Sequence, residues 1–68
     1  MELKVNGKAI RLEGEASIVR LLEQFELSAN ATGVAVAVND AVVPRRRWAE
    51  TPLGEGDTVE IIHAVQGG

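Results

Sequence analysis

The chain has 68 residues, no cysteine and a net charge of −3, with a pI near 5.0. One small domain is all this length holds, and disulfides and cysteine-based metal sites are excluded. The acidic balance argues against nucleic acid as a partner, and the longest apolar run, Val34–Val38, is far too short to span a membrane.

Met1 is followed at once by Glu2 and Lys4, unlike the start of a signal peptide, so a cytoplasmic location is expected. Leu3 and Val5 alternate with polar residues, as do Ile10 and Leu12 after Asn6-Gly7. An Asn-Gly pair between two alternating runs predicts a hairpin, because both turn positions need positive φ. Ser17 is placed to cap a helix running to about Phe25, with Ile18, Leu21, Leu22 and Phe25 on one face. Arg20 stands where a Glu would complete a capping box, so the cap is half built. The stretch from Ser28 to Gly33 reads as a loop.

Val34-Ala35-Val36-Ala37-Val38 predicts a third strand with valines on one side and alanines on the other. Asn39-Asp40 turns the chain into a short apolar stretch, Ala41–Val43, which Pro44 ends because it has no N–H to donate. Arg45–Leu53 reads as a turn of helix or an irregular crossing. Gly54–Asp57 is a tight turn into a last strand, Thr58–Val65, apolar on both faces as a central strand would be.

The order strand, strand, helix, strand, short strand, strand resembles the ubiquitin-like β-grasp fold. The fold class expected is α+β, a mixed four- to five-stranded sheet packed on one main helix. Leu3, Val5, Val36, Val38, Val59 and Ile61 would face the helix. Ala35, Ala37, Ile62 and Ala64 would face water or a partner.

The chain ends Gln66-Gly67-Gly68. Two glycines at a C-terminus arise by chance in roughly 0.5% of proteins. Glycine lacks Cβ, so such a tail is thin, and its last three residues reach about 10 Å when extended. That is enough to enter a narrow channel with an α-carboxylate at the tip. The alternative is a frayed terminus.

Three stretches resemble one family, the sulfur carrier proteins of thiamine biosynthesis (the ThiS family). They are the ending Ala64-Val65-Gln66-Gly67-Gly68, the segment Val43-Pro44-Arg45-Arg46-Arg47-Trp48, which is similar to that family's Val-Pro-Arg-x-x-Trp, and Gly56-Asp57 before the last strand. Asn39 also fits, and the resemblance covers essentially the whole chain. It implies a carrier and not an enzyme, with residues 1–65 as the β-grasp domain and 66–68 as a flexible tail. It further implies that Gly68 is adenylated and converted to a thiocarboxylate, while Gln66, Gly67 and Gly68 enter partner active sites. The implied partners are an adenylating enzyme of the ubiquitin-activating type, a sulfur donor protein and a thiazole synthase. No cofactor is bound, and ATP is consumed by the activating enzyme.

The same ending fits carriers for molybdopterin synthesis or tRNA thiolation, and a β-grasp domain can also be a non-covalent binding module. The expected partner surface is Ala35, Ala37, Ile62, Ala64 and Arg45. The alternative for the first four is ordinary exposed apolar surface. The three consecutive arginines Arg45–Arg47 are either a solvated turn or a sign of an acidic partner. Trp48 is expected to pack over the edge of the core. His63 lacks an evident Ser, Cys or carboxylate partner and is expected to be a strand residue near the surface, not a general base. No metal site is expected.

Overall fold

The computed structural model describes residues 1–27 and 32–63. Part of the expected Ser28–Gly33 loop, together with Ala64, Val65, Gln66, Gly67 and Gly68, lies outside the described residues. The hairpin forms as the Asn-Gly pair predicts: β1 (Glu2–Val5) pairs antiparallel with β2 (Lys8–Arg11). Asn6 and Gly7 adopt φ 51° and 84°, the left-handed pair that matches strand twist.

Helix α1 (Ile18–Gln24) follows, capped by Ser17, whose Oγ accepts from the Arg20 N–H at 3.1 Å. Arg20 cannot complete the capping box, but its Nε donates to the Glu13 carbonyl at 3.0 Å and ties the helix to the preceding loop. The C-terminal end differs from expectation. Phe25 is the C-cap and is 37% exposed, not a core residue. Glu26 takes φ 62°, Glu26 N–H donates to Glu23 O at 2.9 Å and Leu27 N–H donates to Leu22 O at 2.7 Å. This is a Schellman ending with Glu in the position glycine usually holds. It turns the chain so that Leu27 packs against the core in place of Phe25.

Strand β3 (Val34–Val38) and β4 (Ala41–Val43) form a second hairpin, with Asn39 and Asp40 at φ 50° and 71°. A 3-10 helix, Arg45–Glu50, is the crossing. Gly56, at φ 83°, makes the turn into β5 (Thr58–His63). The five strands form one sheet in the order β2-β1-β5-β3-β4. β5 is central, parallel to β1 and antiparallel to β3. The described part of the last strand thus sits where its apolar composition required.

One face of the sheet and helix α1 enclose the core. Leu3, Val5, Val36, Val59 and Ile61 are buried from the sheet, as expected, while Val38 at the margin is half-buried. Leu12, Trp48 and Leu53 complete the cluster with Ile18, Leu21 and Leu22 from the helix. Burying such side chains contributes roughly 1.5–3 kcal/mol each. Among the described residues, no helix is long and apolar enough to cross a membrane.

Candidate functional site

The parity of β5 decides what the outer face of the sheet presents. With Val59 and Ile61 turned to the core, Thr58, Glu60 and Ile62 point outward. Register then places Ala35 opposite Ile62, and Ala37 opposite Glu60 on one side and Val42 on the other. Ala35, Ala37, Ile62 and Val42 therefore share one face across three neighbouring strands. Ile62 is 62% exposed and Val42 76%, two of the largest apolar exposures among the described residues. The β1–β2 side of the same face carries Glu2, Lys4, Ala9 and Arg11 and is mostly polar. The apolar half is also the half that holds Ile62, six residues before Gly68 in the chain.

The structure brings Ala35, Ala37 and Ile62 together as the sequence reading expected; Ala64 lies outside the described residues. Val42 was missed. Nothing in its local sequence distinguishes it from Ala41 and Val43, but the Asn39-Asp40 turn fixes the β3–β4 register. That register puts Val42 beside Ala37 on the outer face.

Strand β5 is held just before its end by an unexpected clamp. Asn6 Oδ1 accepts from the Ile61 N–H at 2.9 Å, and Asn6 Nδ2 donates to the Ile61 carbonyl at 3.2 Å. The parallel β1–β5 pairing ends with Val5 opposite Val59. The Asn6 amide extends it by imitating one further peptide group. Asn39 performs a similar service at the other end of the strand, accepting from Thr58 N–H at 3.0 Å and donating to Asp57 Oδ1 at 3.1 Å. The strand that leads toward the terminus is thereby fixed at both ends. His63 is exposed, opposite Val34.

The segment Pro44–Glu50 is ordered by Trp48. The indole is 2% exposed, deeper than the edge packing expected of it, and its Nε1–H donates to the Val43 carbonyl at 2.8 Å. The Arg45 guanidinium lies 4.8 Å from the centre of the indole ring, within cation–π range. Arg45 thus covers the core aromatic. Arg47 Nε lies 3.7 Å from Glu50 Oε1 across two exposed side chains. Beside them, Val42, Val43, Pro44, Arg46, Arg47 and Thr51 line a groove of about 240 Å³. Among the described residues, no cluster of His, Cys, Asp and Glu could hold a metal ion.

Known proteins resemble this chain in sequence and in fold. The model of the ThiS family matches residues 3–68. The sulfur carrier protein ThiS of Escherichia coli is 31% identical over 68 residues, covering 100% of both chains. The crystal structure of a thiamine biosynthesis protein (ThiS) from Geobacter metallireducens superposes with a TM-score of 0.78 at 33% identity, again covering 100% of both chains. A thiazole synthase of Paramagnetospirillum magneticum contains a stretch 31% identical to all 68 residues, amounting to 20% of that protein. On the match over residues 3–68, this chain belongs to the ThiS family, the ubiquitin-like sulfur carrier proteins of thiamine biosynthesis.

Proposed function

We propose that this chain carries sulfur on its own terminal carboxylate, at Gly68, for assembly of the thiazole ring of thiamine. The observation that carries the reading is the family match over residues 3–68, which includes the Gly67-Gly68 ending. A carboxylate is a poor electrophile, since oxide is a prohibitive leaving group. An adenylating enzyme of the ubiquitin-activating type would use ATP to join the Gly68 carboxylate to AMP, releasing pyrophosphate. Sulfur delivered by a donor protein at the sulfide level, as hydrosulfide, then attacks the carbonyl carbon, the bond to AMP breaks, AMP leaves, and the terminus becomes a thiocarboxylate. The difficult substitution is split into two easier ones, as in covalent catalysis. A thiazole synthase takes the sulfur.

In this reading the chain is a protein substrate and not a catalyst, and it holds no cofactor itself. The absence of cysteine in the sequence removes an internal thiolate that could attack the activated terminus. Gln66, Gly67 and Gly68 reach into the partner active sites. The Ala35, Ala37, Val42 and Ile62 face supplies apolar contact area for docking, and the size of its exposed side chains supports that role. A cytoplasmic location fits these partners.

The test is thiazole formation in a reconstituted system containing the activating enzyme, sulfur donor and thiazole synthase. The intact chain should support turnover, and the chain lacking Gly68 should support none while melting at the same temperature. Turnover that survives the deletion would refute the reading.

A further inference from the structure

The three consecutive arginines do three different things. Arg45 is stacked over Trp48 and Arg47 faces Glu50. The Arg46 side chain makes no hydrogen bond or ion pair among the described residues, and it lines the groove with Val42, Val43, Pro44, Arg47 and Thr51. The backbone around that groove is tied down by hydrogen bonds. Trp48 is buried and bonded to Val43, Arg47 N–H donates to the Pro44 carbonyl at 2.8 Å, and Thr51 Oγ1 donates to the Arg47 carbonyl at 2.6 Å. The planar guanidinium fork of Arg46 is pre-organised for a carboxylate, so little freedom is lost per hydrogen bond formed.

The groove is also apolar on one side. Val42, 76% exposed, belongs both to it and to the outer face of the sheet, so the two surfaces are continuous. About 240 Å³ falls below the roughly 300–1,000 Å³ of small-molecule sites and suits one or two side chains. A polyanion is a poor occupant for a chain of net charge −3. What fits is a protein loop offering a carboxylate to Arg46 and an aliphatic side chain to Val42 and Pro44.

We propose that this groove docks an acidic, apolar-tipped loop of thiazole synthase, a proposal that rests on the carrier reading above. The choice of that enzyme follows from the Paramagnetospirillum thiazole synthase, in which a relative of this whole chain is part of the same polypeptide. Covalent attachment holds the two at high effective concentration, an arrangement useful only if their surfaces meet. Arg46 and Arg47 accept the loop carboxylate, Arg47 exchanging Glu50 for it.

The experiment measures the affinity of the full chain for thiazole synthase and, separately, for the adenylating enzyme, at about 50 mM and about 300 mM salt. Arg46→Glu should weaken binding to thiazole synthase roughly tenfold or more and flatten its salt dependence, because an exposed charge contact is screened over this range. Arg46→Lys should keep most of the affinity, and all variants should melt like the wild type. Unchanged binding of Arg46→Glu to thiazole synthase overturns the proposal. So does a wild-type chain that binds the adenylating enzyme but not thiazole synthase, which leaves the carrier reading standing. Binding to neither overturns both.

Discussion

Removing the Asn6 side chain tests the claim that the strand leading to the terminus is clamped across the sheet. The amide satisfies both the N–H and the carbonyl of Ile61, at 2.9 and 3.2 Å, from 55 residues away. Each bond contributes about 0.5–1.5 kcal/mol net, so losing both costs roughly 1–3 kcal/mol. Asn6 also holds φ 51°, a region that disfavours alanine but not glycine. Asn6→Ala should therefore lose roughly 1 kcal/mol more than Asn6→Gly. Asn6→Asp keeps an acceptor for the Ile61 N–H but sets a carboxylate oxygen against the Ile61 carbonyl. Its ionised form is disfavoured in the fold, so its pKa rises above the usual ~3.9. The protonated acid can donate to Ile61 O. Stability of Asn6→Asp should thus be greatest below the unfolded-state value and be lost as pH rises through the raised, folded-state one.

Urea unfolding followed by the fluorescence of Trp48, the single tryptophan, measures these differences. With an m-value near 1 kcal/mol/M, a loss of 2 kcal/mol lowers the midpoint by roughly 2 M. A midpoint for Asn6→Ala within about 0.3 M of wild type would refute the clamp. Glycine proving worse than alanine would refute the backbone argument.

Three further variants probe the core and the outer face. Trp48→Phe leaves the Val43 carbonyl without its donor and weakens the stack under Arg45, costing about 1–3 kcal/mol. Circular dichroism should show Tm falling by roughly 4–8 °C per kcal/mol, and an unchanged Tm would contradict the indole's role. Ile61→Ala, at the centre of the sheet, should cost about 2–5 kcal/mol by urea titration, and a loss near zero would mean the core is misassigned. Ile62→Asp changes an exposed position and should leave stability within about 0.5 kcal/mol. It should nevertheless weaken capture by the adenylating enzyme or thiazole synthase, and full affinity for both would remove the outer face from the docking account.

Local signals carried much of the architecture. Asn6-Gly7 and Asn39-Asp40 specify hairpins because their residue types tolerate positive φ. The Val-Ala alternation specifies which side of β3 faces the helix. The composition of the last strand specifies a central place. What escaped depends on tertiary contacts that neither periodicity nor residue type encodes. Phe25 fits the helical period, but the Glu26 turn, stabilised by seating Leu27 on the core, ends the helix first. The depth of Trp48 depends on the Val43 carbonyl, and the Asn6 clamp joins the two ends of the chain. Asn6 and Ile61 stand 55 residues apart, and although Val43 lies only five residues before Trp48, no local pattern says that the indole turns inward to reach its carbonyl. At the site, the outward face of Ala35, Ala37 and Ile62 followed from strand parity, whereas Val42 needed the register of a second hairpin. The stacking of Arg45 on the indole depends on how deeply Trp48 is seated, which the run of three arginines does not reveal.

The most direct test of the central claim is the intact mass of the chain after incubation with ATP, a sulfur source and the thiamine-pathway adenylating enzyme. The account predicts the gain from replacing one oxygen by sulfur, absent when Gly68 is deleted. Among the described residues, the buried core side chains lie between Leu3 and Ile61, so the deletion should not unfold the protein. A gain obtained only with a molybdopterin-pathway activator would contradict the assignment to thiazole formation. No gain with either enzyme would contradict the carrier account itself.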